Sequence, residues 1–83
     1  MSPFERLKYE RRLIVLETQA TPLELAIAGY RDTLRDLLDP LLPVGQLQGK
    51  VIADLAVKLA ARQIDLRGKL SEVEKIKALL GKE

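Results

Sequence analysis

The chain contains no cysteine, no histidine and no tryptophan, and asparagine is also missing. Without cysteine there is no disulfide and no thiolate metal site. Without histidine the commonest metal ligand and the commonest general base are both gone. Serine occurs only as Ser2 and Ser71, both at cap-like positions, so no conventional nucleophile–base pair can be assembled. Paired carboxylates, Asp32 with Asp36 and Glu72 with Glu74, read as solvated helix faces. Gly45 and Gly49 are not followed by the lysine–serine or lysine–threonine of a phosphate loop. The expectation is a protein that is not an enzyme, with no catalytic, cofactor or metal residue and no small-molecule substrate.

Strong charge of one sign is absent too. Lysine plus arginine number 14 and aspartate plus glutamate 12, a net charge of +2 that announces neither nucleic acid nor membrane. No apolar run approaches the roughly 18 residues of a transmembrane helix. The stretch Met1-Ser2-Pro3-Phe4-Glu5 lacks the charged and then apolar regions of a secretory leader, so a cytoplasmic location is expected.

What is present is helical periodicity. Apolar residues are 47% of the 83 positions, and nowhere do they alternate as in a half-buried strand. Ser2, Pro3 and Glu5 form an N-cap, a proline at the first helical position and a capping-box glutamate. Thr21, Pro22 and Glu24 repeat the pattern, which predicts a break at residues 19–21. Asp39-Pro40-Leu41-Leu42-Pro43 ends the next helix, because proline disfavours a helical predecessor and lacks an amide donor. Gly81 is a C-terminal stop. The reading is therefore all-α, one domain. Helices span about residues 3–18, 22–38 and 50–80, with a proline-rich turn at 39–49, in a three-helix up-down-up bundle.

The second helix has one apolar stripe, Leu23, Ile27, Tyr30, Leu34, Leu37 and Leu38. The first helix has two. Phe4, Leu7, Ile14 and Val15 lie on one side; Tyr9, Leu13, Leu16 and Ala20 lie almost opposite. The third starts with two stripes, Ile52, Leu55, Ala56, Leu59 and Leu66 against Ala53, Val57, Ala60, Ala61 and Ile64. Only Leu66, Leu70, Val73, Ile76 and Leu80 continue to its end. Ile52, Leu59, Leu66, Val73 and Leu80 recur every seventh residue, a coiled-coil-like seam.

At 1.5 Å per residue the first two helices would be roughly 25 Å long and the third roughly 45 Å, leaving its last turns uncovered. Two arrangements cover them. A kink at Gly68, with Ser71 and Glu74 as a new capping box, would fold a fourth short helix back. Alternatively, a second chain packs there, and the unbroken phase of the seam through Gly68 favours this. The contact residues expected are Leu66, Leu70, Val73, Ile76 and Leu80, with Tyr9, Leu13 and Leu16 as a further face. The function that follows is a small adaptor, inhibitor or regulator that binds a partner protein, itself as a homodimer.

Two alternatives remain. Lys8, Arg11 and Arg12 on neighbouring turns, doubled by a two-fold axis, could meet phosphates of a nucleic acid. The tail adds Arg67, Lys69, Lys75, Lys77 and Lys82, interspersed with Glu72, Glu74 and Glu83. A structural assembly subunit is the other. The turn Pro40-Leu41-Leu42-Pro43 between helices is loosely similar to the Pro-x-x-Pro turn of type III secretion needle subunits. There the turn is polar, and the separate first helix expected here has no counterpart. No residue role is carried over. Membrane-surface binding is not expected, since the polar faces mix both signs.

Overall fold

The start of the first helix is built as its residues dictate. The Ser2 hydroxyl accepts the Glu5 amide at 3.2 Å, and Pro3 occupies the first turn, where its missing N–H costs nothing. The computed structural model describes residues 1–81. Helix α1 spans Pro3–Leu37, a 3₁₀ turn spans Val44–Gln46, and α2 spans Gly49–Leu80. No strand occurs among the described residues.

The break expected at residues 19–21 does not occur. The two helices expected over residues 3–18 and 22–38 are one helix of 35 residues, with Pro22 inside it. The reason lies in long-range packing. Tyr9, Leu13, Leu16, Ala20, Leu23, Ile27, Tyr30, Leu34 and Leu37 follow one another at alternating steps of four and three, and each is buried or half-buried. That stripe passes residues 19–21 without losing phase, so both halves must bury it against the same neighbour. Thr21 and Pro22 fall on the exposed side. The Thr21 hydroxyl donates back to the Glu17 carbonyl at 3.4 Å instead of capping a new helix, and Thr18 does the same to Ile14 at 2.8 Å. A proline in a helix interior costs about 3 kcal/mol, less than burying two or three of the stripe's large apolar side chains gains.

The turn after α1 is held by Asp39. Its carboxylate accepts the Leu41 amide at 2.9 Å, and its carbonyl accepts that of Leu42 at 3.0 Å. Pro40 and Pro43 keep this segment from continuing the helix. Helix α2 then runs unbroken through Gly68, so neither the kink nor a fourth helix forms. It ends at Gly81, whose φ of 70° suits glycine.

Two helices therefore form one antiparallel hairpin, 63 × 19 × 15 Å. Ile52, Leu55, Leu59, Leu66, Val73, Ile76 and Leu80 face α1. The fused α1 is long enough, about 50 Å at 1.5 Å per residue, to accompany α2 to its end. The overhang expected beyond about residue 67 is thus absent. Leu13 and Leu16 pack with Val73, Ile76 and Leu80, and Tyr9 lies against this cluster. Two ion pairs cross between the helices and fix their register. Arg12 grips Glu72 at 3.1 and 3.2 Å, and Lys77 lies 3.8 Å from Glu17.

Candidate interaction surface

A pair of helices can bury only the stripe each turns toward the other. Among the described residues six hydrophobic side chains are buried, while sixteen large ones are exposed. The consequence is visible in area. The chain exposes 6294 Å², against about 5,000 Å² expected of a globular protein of this mass. Its radius of gyration is 18.5 Å, against about 12 Å for a compact domain of this length.

The exposed apolar residues are not scattered. On α1, Phe4, Leu7, Ile14, Val15 and Leu25 lie on the side opposite the buried stripe, with Phe4 79% and Leu25 70% exposed. On α2, the opposite side carries Ala53, Val57, Ala60, Ala61 and Ile64, all exposed. These two stripes point away from each other, one along each outer edge of the hairpin. Phe4, Leu7, Lys8 and Arg11 line an open depression of about 200 Å³ at the α1 end.

The residues singled out in the sequence divide between inside and outside. Leu13, Leu16, Val73, Ile76 and Leu80 are buried inside the hairpin, Tyr9 and Leu66 are half-buried there, and Leu70 is exposed at its edge. They are brought together, but mostly against one another within one chain. The outward faces were legible as the second stripe of each helix. What concealed their importance was the expected third helix, which would have covered one of them.

The basic cluster is also divided. Arg12 is committed to Glu72, and the hydrogen bond from Arg12 is the main reason the Glu72 carboxyl titrates below its usual range. The guanidinium is raised by the same contact. Lys8 and Arg11 stay on the outer face of α1 and make no ion pair or side-chain hydrogen bond among the described residues, and the same holds for Asp36. Lys82 and Glu83 of the basic tail lie outside the described residues. Among the described residues no acidic group gathers in the way a metal site requires, and no helix is long and apolar enough to cross a membrane.

Comparison with known protein families, curated proteins and solved structures finds no match for this chain, so the loose likeness of its turn to needle subunits carries no argument.

Proposed function

We propose that this chain is a helical protein–protein interaction module that works as a homodimer, an adaptor, inhibitor or regulator rather than an enzyme. One observation carries the reading: among the described residues sixteen large hydrophobic side chains are exposed and only six hydrophobic ones are buried. The excess over a globular protein of this mass is roughly 1,300 Å², more than the ~800 Å² per partner that a standard interface covers. A soluble protein rarely leaves contiguous apolar stripes in water. A cytoplasmic setting accords with this role.

The test is light scattering coupled to size exclusion at two concentrations. A dimer or small closed oligomer is expected. A monomer at both concentrations, melting cooperatively, would refute the reading.

A structural assembly subunit is the second reading, supported by the two apolar stripes facing in opposite directions. Unlike faces on opposite sides generate open-ended assembly when the rotation does not close. Such a chain would form large species that grow with concentration. Nucleic-acid binding through Lys8, Arg11 and Arg12 has less behind it, because Arg12 is held by Glu72. Its signature would be affinity for mixed duplexes that falls steeply with salt.

A further inference from the structure

We infer that the hairpin is built of two units that meet at the level of Pro22 and Gly68, and that the half nearest the turn opens on its own while the far half stays closed. This opening belongs to the single chain, whether or not it dimerises.

Burial along the hairpin is uneven. Among the described residues every buried side chain lies in the half away from the turn: Leu13, Leu16 and Ala20 from α1, and Val73, Ile76 and Leu80 from α2. Both ion pairs that cross between the helices, Arg12 with Glu72 and Glu17 with Lys77, lie there too. This half is a clamp. Nearer the turn the inner stripes continue as Leu23, Ile27, Tyr30, Leu34 and Leu37 against Ile52, Leu55, Leu59 and Leu66, yet each of these is only half-buried. Between Leu59 and Leu66 the inward position falls to Gln63. From Leu23 to Leu66 no ion pair or side-chain hydrogen bond joins the two helices, since those of Arg31, Arg35, Thr33 and Lys69 stay within one helix. The turn tethers the near ends of the helices whatever their packing. The far ends have no tether and are closed by packing and charge alone.

The boundary is marked on both helices at one level. The two crossing ion pairs set the register: the level midway between Arg12 and Glu17 lies beside that midway between Glu72 and Lys77. Counted from there along antiparallel helices, Leu16 comes level with Val73, Ala20 with Lys69, Pro22 with Arg67 beside Gly68, and Leu23 with Leu66. Pro22 withholds the amide that the Thr18 carbonyl would accept. The Thr18 and Thr21 hydroxyls turn back on the Ile14 and Glu17 carbonyls at 2.8 and 3.4 Å, which loosens a helix further. Gly68 weakens α2 at the same level, because glycine loses most freedom on entering a helix. The layer beside them sets the methyl group of Ala20 against the stem of Lys69, whose ammonium turns away to Asp65 at 3.2 Å. Leucine and valine layers on either side are thus separated by the thinnest apolar layer at the weakest point of both helices. Contiguous segments with few buried contacts open as units below the global unfolding free energy. Closing the longer loop left by an open turn half adds little, because closure entropy grows only with the logarithm of length.

Hydrogen exchange of the full chain, followed amide by amide by NMR where the rate reports the opening equilibrium, tests this. Amides of residues 27–36 and 55–66 should share one rate, at least about tenfold faster than the rate shared by 13–20 and 73–80. Two matched variants separate two units from one. Ile76→Val lies in the clamp and Ile52→Val in the turn half, and each removes a single methyl group, a change small enough to leave the fold standing. Ile76→Val should speed exchange in the clamp by about two- to tenfold and leave the turn half at the parent rate, because the partly open form keeps the clamp packed. Ile52→Val should speed both halves by one common factor, because either opening loses its contacts. A single rate throughout the chain, a turn half that exchanges more slowly than the clamp, or an Ile76→Val variant that speeds both halves alike overturns the two-unit hairpin.

Discussion

Pro22 offers the sharpest test of the fold, because a broken and a continuous α1 predict opposite signs for the same substitution. If Pro22 opened a new helix, it would sit where its missing N–H costs nothing, and alanine would gain little. In the structure it lies well inside a helix running from Pro3 to Leu37. There its ring faces the Thr18 carbonyl, and no amide donates to that carbonyl. Pro22→Ala restores the donor and removes the clash, a gain of about 3 kcal/mol. For a protein of this size that raises the melting midpoint by roughly 10–20 °C. Thr21→Ala sharpens the contrast. As an N-cap, Thr21 would cost about 0.5–2 kcal/mol when truncated. As an interior residue whose hydroxyl only reaches back 3.4 Å to Glu17, its replacement gains a few tenths of a kcal/mol. The assay is thermal denaturation followed by circular dichroism at fixed protein concentration, since self-association makes the midpoint concentration-dependent. A fall for Thr21→Ala together with no rise for Pro22→Ala would refute the continuous helix and restore three helices.

Other expectations follow from single contacts. Leu16 is 1% exposed and packs with Val73 and Ile76, so Leu16→Ala should cost about 2–5 kcal/mol in denaturant unfolding. Gly68 is exposed mid-helix with open space around it, so Gly68→Ala should stabilise by about 0.5–1 kcal/mol, whereas a kink there would make the same change harmful. Glu72 titrates below its usual range in the fold, chiefly through Arg12. Its stabilising contribution is therefore present above the ordinary glutamate range and disappears as pH falls through its lowered value. Acid titration of the melting midpoint should show a flatter limb in Glu72→Gln. An unchanged limb would mean the ion pair does not form in solution.

Much of this protein is written in residue types and short spacings. The lack of histidine and cysteine excludes disulfides, thiolate ligands and imidazole groups whatever the fold. The Ser2 cap, the Asp39–Pro43 turn and the stop at Gly81 are local events, set by side chains within three or four residues of the backbone groups they satisfy. The two stripes on each helix are equally local, since 100° per residue follows from helix geometry alone. The identical logic misled at Thr21 and Pro22. A capping pattern states what a helix start would look like, not whether the chain starts a helix there. That was decided by the stripe from Tyr9 to Leu37, which keeps one phase past Pro22 and finds α2 as a continuous neighbour. Local preference of about 3 kcal/mol lost to burial summed over several turns. Once α1 was continuous it covered Val73, Ile76 and Leu80, and the surplus apolar surface moved to the outer faces. Which stripe faces inward is a property of the pair of helices, and only the tertiary structure could assign it.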